Sequence, residues 1–461
     1  MSNQPKPVLT FGIEETLTAL DGRNRHKLAP LFPYLSERTI DKYRILVESR
    51  YLQYLSDFKA IRKFTKAEDA LLEKLFTDFD KSGYRKIREI ERSTNHEMKA
   101  VEKYIQTQLQ ETSLNDVVEM VHFGLTTDDI NNIVYALMLS ESVEKILIPE
   151  IEKSILMLKD NAKKYKNIPM LGRTHGQPAA PTTLGKEFFI YYKRLNVELK
   201  ILKDIRLSAK LTGNTGNLNA HKFVYPEIDW LKFSKEFITS FGFTPDFATI
   251  QIQPYDSYIR LFDTLRRINN IFIGLCVDLW IYISYGYFKQ KVISSETGST
   301  ALPHKVNPIY LEGAEGGFGI ANSLFEFYSR KLAKTRMQRD LSDSTVRRSV
   351  NIAFAYSLLS YQSISEALMR IEPNKDIISK DLDSHWEVLS EAIQNFLRTK
   401  NYEDAYDKTK KFFRGKTIIK SDIEKFINEL TIMPKDKEKL LNLTPESYTG
   451  FAEDIVTQYV K

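Results

Sequence analysis

Three short stretches gather side chains suited to acid–base and anion chemistry. "GSTALPHKVNP" (298–308) holds Ser299, His304, Lys305 and Asn307 around two prolines. Pro303 and Pro308 each remove a backbone donor and restrict the residue before them, so this run cannot continue a helix. "GRTHGQP" (172–178) sets His175 between Thr174 and a Gly-Gln-Pro turn, and "GLTTDD" (124–129) pairs Thr126 and Thr127 with carboxylates. An imidazole titrates near neutral pH and can give or take a proton. Hydroxyls, amides and cations at helix ends, where backbone N–H groups are free, suit an anionic ligand. Four of the seven histidines (His96, His122, His175, His304) lie in or beside such polar segments. Their spacing excludes a zinc site, since no pair shows the i, i+4 arrangement with a third ligand nearby. For most of these residues taken singly a structural role is the ordinary expectation: a loop cap for Ser299, a surface position for Lys305, a first-turn charge for Glu312. His175 in its turn is the one that favours function.

The elements that must position these loops read as long helices. In 461 residues there are only 19 glycines and 16 prolines, and such low punctuation favours helices over many short strands. The length exceeds one ordinary core and implies several domains. "IDKYRILVESRYLQYLSDFKAI" puts Ile45, Val47, Tyr51, Leu52 and Leu55 near one face. Thr126, Thr127 and Asp128 are helix N-cap material. A long helix follows from about residue 131, with Ile133, Leu137, Val143, Leu147, Ile151, Ile155 and Leu158 on its stripe and a bend at Pro149. Another starts near Leu184, with Phe188, Tyr191, Leu195, Leu202, Ile205 and Ala209. Residues 257–290 are apolar nearly all round, which predicts a helix buried on all sides in the centre of a large bundle, with subunits packing around it. The expected organisation is all-α: an N-terminal domain over 1–125, a central bundle over 126–369, and a helical cap over 370–461.

Composition narrows the class. Lys and Arg number 66 against 60 Asp and Glu, a net +6, with the two signs interleaved. That excess argues weakly for an anionic ligand and does not make a nucleic-acid binder, for which an aromatic–basic platform is also missing. The single cysteine, Cys276, sits in an apolar run and reads as a small buried hydrophobe. With no apolar leader or membrane span in the sequence, the expectation is a cytoplasmic protein.

"GSTALPHKVNP" resembles the signature loop of the fumarase/aspartase superfamily. The blocks "LDGRNR", "ERSTNHEMKAVE", "HFGLTTDDINN", "GRTHGQPAAPTTLGKE", "LTGNTGNLNAH", "RMQRDLSDSTVRRS" and "LDSHWEVLSEAIQ" are, in order, similar to those of the bacterial adenylosuccinate lyase family. The resemblance covers essentially the whole chain. It implies a three-domain fold in a homotetramer with a core of twenty long helices. It implies active sites built by three subunits, nucleotide substrates, and no metal or organic cofactor. The implied reaction is β-elimination of fumarate from adenylosuccinate and from the succinylated aminoimidazole carboxamide ribotide. Such a reaction builds a carbanion beside a carboxylate, so preorganised cations and donors are the main requirement. By resemblance Ser299 is the base, His175 the acid paired with Glu312, and Lys305 and Asn307 the anion-stabilising groups. Arg23, Arg339, Ser344 and Arg348 match phosphate-holding positions, for which the planar guanidinium fork is suited. Asn24, Asn95, His96, Glu97, Thr126, Thr127, Thr174, Gln251 and Thr345 fall in the substrate-contacting blocks. The chain departs from the family at Thr300 (commonly serine), Asn24 (commonly tyrosine), Gln253 (often Glu) and Tyr255 (often His). The other readings are a different fumarate-releasing lyase, such as argininosuccinate lyase, and a catalytically silent helical tetramer. The arginine set and the retained Ser299, Lys305 and His175 weigh against both.

Overall fold

The computed structural model describes residues 15–295 and 299–460. Helices dominate, and the strands among the described residues form three two-stranded pieces. The elements that carry the site are α1 (Glu37–Asp57), α2 (Glu97–Leu109), α3 (Thr127–Ser142), α4 (Ile148–Lys164), β1 (Pro169–Thr174), β2 (Gln177–Thr183), α5 (Leu184–Asp204), α6 (Asp256–Ser284), β3 (Phe288–Gln290), α7 (Ile309–Leu332), α8 (Val350–Arg370), β4 (Ile371–Pro373) and α9 (Lys375–Asp383). They fall into two compact units, residues 1–150, 200–269 and 317–359 in one, and 151–199, 270–316 and 360–461 in the other.

In the first unit α1 is the organiser. Ile45, Val47, Tyr51, Leu52 and Leu55 are all fully buried, as their spacing predicts. Tyr51 packs edge-on against Phe233 and Phe237 at 5.7 and 5.9 Å between ring centres. Its hydroxyl donates to the Phe123 carbonyl at 2.8 Å. In the second unit Leu171 of β1 joins Leu382, Trp386, Leu389, Ile393, Leu397, Phe413 and Phe426 in one cluster. Small C-terminal helices thus supply a core against which the β1–β2 hairpin packs.

Three sequence expectations are corrected. The helix from residue 131 does not simply bend at Pro149. It passes through a π-helical turn, Val143–Leu147, before α4 begins. Proline has no N–H to give the carbonyl four residues back, and its ring crowds that carbonyl, so a wider turn fits just before it. Ile205 and Ala209 lie beyond the end of α5, Ala209 in a short strand. Finally, α6 is not buried on all sides: Cys276 is, but Val277 and Trp280 are exposed in the chain. Burial pushes the Cys276 thiol up to about 12, in keeping with an inert core residue.

Candidate active site

The segment "GRTHGQP" forms a hairpin tip whose turn includes the histidine, where the sequence suggested a Gly-Gln-Pro turn after it. Thr174 pairs with Gln177 across the antiparallel β1–β2 ladder, so His175 and Gly176 alone make the turn. Their φ values are 53° and 72°. A two-residue turn with both central residues left-handed matches the twist of the flanking strands. A glycine accepts that conformation freely, whereas a residue with a Cβ meets a cost of about 1–2 kcal/mol. His175 is therefore held in a strained backbone on an exposed tip, with Thr174 exposed beside it. At the base of the hairpin a bulge falls between Met170 and Gly172. A Cβ on Gly172 would lie 2.3 Å from the Ala180 carbonyl oxygen, so only glycine fits.

Gly298 lies outside the described residues. From Ser299 to Pro308 the chain has no helix or strand. The Ser299 hydroxyl oxygen accepts from the Leu302 N–H at 3.1 Å, and the Lys305 N–H donates to the Leu302 carbonyl at 3.0 Å. These local bonds fold the loop on itself. They leave the Lys305 side chain exposed and Asn307 half-buried. Glu312 is in the first turn of α7, also exposed, and accepts from the indole N–H of Trp280 at 3.1 Å. Within the chain its hydrogen bond goes to Trp280 and not to His175.

The first unit holds the arginines. Glu97, the first residue of α2, is bridged by Arg348 at 2.7 Å and Arg44 at 3.2 Å. Burial would raise its carboxyl, but the two guanidinium groups outweigh burial and hold it below the usual glutamate range. Arg44 is itself buried and also donates to Asp41 at 3.1 Å and Asn131 at 3.0 Å. Asn95 ends the preceding helix in the left-handed conformation, φ 50°. His96 caps α2: its Nδ1 accepts from the Lys99 N–H at 3.1 Å, which leaves Nε2 to carry the proton of the neutral ring. Arg339 donates to Gln251 Oε1 at 3.2 Å, and Gln251 donates onward to Asn214. Ser344 is buried, whereas Thr345 and Arg23 are exposed and Asn24 is half-buried.

Beneath these groups lie residues the sequence reading missed. Asp128, taken for cap material, is fully buried and bonded to Arg347 at 2.8 Å. The cap is Thr126, whose N–H donates to Asp129 at 2.9 Å. Asp129 Oδ1 accepts from the ammonium of Lys210 at 2.9 Å and the N–H groups of Thr212 and Gly213 at 3.0 and 3.2 Å. It thus ties "GLTTDD" to "LTGNTGNLNAH". Arg347 also meets Asp343 at 2.9 Å and lies over the Tyr135 and Tyr255 rings. Tyr255 and Gln253, the two departures in "IQIQPYD", are buried; Tyr255 donates to Asp343 at 2.9 Å, so they serve the supporting layer. His122 is left-handed as well, φ 63°, with Nδ1 2.6 Å from Glu48. Burial disfavours its proton, yet Glu48 more than compensates and its pKa lies above the usual value. No local pattern marks a buried Arg–Asp or Lys–Asp pair, because charged residues ordinarily face water.

The helical fold and the polar loops that interrupt it are those of a lyase of the fumarase/aspartase type. The solved fumarate lyase from Mesorhizobium sp. BNC1 shares the fold, with a TM-score of 0.76 at 16% identity, covering 94% of this chain and 97% of that one. A Lyase family profile matches residues 35–319, and an adenylosuccinate lyase C-terminal profile matches 335–449. The chain is 42% identical to the adenylosuccinate lyase of Legionella pneumophila, covering 98% of this chain and 100% of that protein. It is 44% identical to the adenylosuccinate lyase of Dictyostelium discoideum, covering 95% and 97%. The chain belongs to the adenylosuccinate lyase family.

Proposed function

We propose that the chain cleaves adenylosuccinate to AMP and fumarate, and the succinylated aminoimidazole carboxamide ribotide to its carboxamide and fumarate. Retention of Ser299, His175 and Lys305 in a chain collinear with whole adenylosuccinate lyases carries this reading. Ser299 removes the proton beside the carboxylate as its alkoxide. A serine hydroxyl is ordinarily far too weak an acid for this, so the alkoxide is held by Lys305 and loop N–H groups in a closed, dry site. Lys305 and Asn307 then stabilise the doubly charged aci-carboxylate. His175 protonates the leaving nitrogen, with Glu312 from another subunit as its partner. Arg23, Arg339, Ser344 and Arg348 take the phosphate. Thr126 and Thr127 take a fumaryl carboxylate, and Asn24, Asn95, His96, Glu97, Thr174, Gln251 and Thr345 complete the nucleotide contacts.

The exposure of His175, Lys305, Glu312 and Arg23 in the single chain supports a site closed by neighbouring subunits in a homotetramer. The three-part division of the sequence belongs to the same reading. Among the described residues no helix is long and apolar enough to cross a membrane, and a cytoplasmic location suits the single buried cysteine. The deciding experiment follows the ultraviolet change when the purified protein meets adenylosuccinate. Turnover that falls by about 10²-fold or more in Ser299→Ala, with substrate still bound, supports the assignment. Near-normal turnover in Ser299→Ala rejects it, and an inactive intact wild-type tetramer rejects the substrate.

A further inference from the structure

The hairpin that presents His175 carries a second conspicuous side chain. Arg173 sits on β1 opposite Pro178, two residues before the histidine. Its Nη1 donates to the Tyr287 hydroxyl at 2.8 Å and its Nη2 to Asp381 Oδ2 at 2.7 Å. The Tyr287 hydroxyl donates to that same carboxylate oxygen, so the three groups close a triangle. The guanidinium also lies 4.8 Å from the centre of the Tyr285 ring and 5.9 Å from that of Tyr287. Asp381 belongs to α9, and Tyr287 immediately precedes β3. Two residues earlier on β1, Leu171 is buried in the cluster that includes Leu382 and Trp386. The strand is therefore held twice, by an apolar contact and by charge-assisted bonds.

A lone two-stranded hairpin is marginal in water. This one also bears a bulge at its base and a left-handed histidine at its tip. Something else must fix the direction of the tip, because a displacement of about 1 Å in a reacting group can cost ~10²-fold in rate. Arg173 is the charged side chain on β1 nearest the turn, and it reaches two elements outside the hairpin.

We propose that Arg173, clamped by Asp381 and Tyr287, is a positioning residue that aims His175 at the leaving nitrogen. The inference rests on His175 being the acid. It gives the C-terminal helices a part in catalysis although none of their residues touches substrate in this scheme.

Steady-state kinetics with adenylosuccinate test it. Arg173→Met is expected to lower kcat by about 10- to 100-fold with KM within about threefold, because the acid acts in the transition state. Arg173→Lys, which keeps the charge but loses the planar fork and its stacking on the tyrosine rings, should recover part of the loss, and the limb of the kcat–pH profile that reports the acid should shift in Arg173→Met. Should Arg173→Met fail to assemble, Tyr287→Phe, which removes one hydroxyl, carries the same expectation at smaller size. Subunit exchange adds a readout that general damage would not give. Arg173→Met mixed with Ser299→Ala should regain activity, and mixed with His175→Ala should not, since both defects then travel with the same contributed hairpin. A normal kcat in Arg173→Met, or recovery on mixing with His175→Ala, overturns the proposal. Near-wild-type activity of His175→Ala would instead overturn the acid assignment beneath it.

Discussion

His175 occupies a backbone conformation that asparagine would adopt at lower cost. Asn-Gly is the favoured pair for a two-residue turn of this hand. His175→Asn is thus expected to keep or raise the melting temperature while lowering turnover by about 10²- to 10⁴-fold, the usual worth of general acid catalysis. A melting temperature several degrees lower would show that the turn does not store the strain. Lys210 and Asp129 are both fully buried and hold two loops together. Breaking such a pair from one side leaves a buried charge and costs about 3–5 kcal/mol. Lys210→Met should lose that much in urea unfolding, and Lys210→Met combined with Asp129→Asn should recover part of it. Glu97 provides a pH test. Its folded pKa is lowered by Arg44 and Arg348 against the pull of burial. The unfolded chain therefore binds that proton more readily. The stabilisation is present above the ordinary glutamate value, ~4.3, and is lost as pH falls through the lower folded value. The stability gap between wild type and Glu97→Gln should shrink on acidification over that range; a gap independent of pH would assign it to packing.

The helices are scaffolds, and the proposed chemistry sits where they are interrupted. Local rules explain many of these stops: Pro149 follows a π-helical turn, Asn95 ends a helix left-handed, and Thr126 caps α3. The β1–β2 hairpin was illegible as a hairpin because Gly and Pro at both ends mask the alternation of a strand. Its geometry rests on Gly172. Gly172→Ala puts a methyl group against the Ala180 carbonyl, and it should cost about 1–3 kcal/mol, as overpacking usually does. Because that strain bears on the hairpin carrying His175, kcat should fall with it. Unchanged kcat and melting temperature would mean that the bulge relaxes without moving the turn.

Apolar residues remain exposed along the long helices: Ile190, Val197 and Ile201 on α5, Val277 and Trp280 on α6, and Ile320 and Phe327 on α7. The apolar character of residues 257–290 predicts burial that the single chain does not supply, and a tetramer would supply it. Subunit exchange between His175→Ala and Ser299→Ala proteins tests the proposed shared site. With sites assembled from different chains of a symmetric oligomer, roughly a quarter should draw an intact residue of each kind. Absence of recovery after proven exchange would place both residues of a site on one chain.

The helical class and the polar loops that interrupt it were legible in the sequence. Each depends on residue types a few positions apart, where helix period, proline geometry and turn chemistry act directly. The partners of those residues were not legible. Arg44 meets Asn131, Asp128 meets Arg347 and Arg173 meets Asp381 only after packing brings separate elements together. The same holds for the burial of Tyr255 and Gln253, two of the positions where the chain departs from the family. A charge can be buried only where a distant opposite charge or hydrogen-bond partner offsets its lost hydration, and that pairing is a property of the tertiary structure alone.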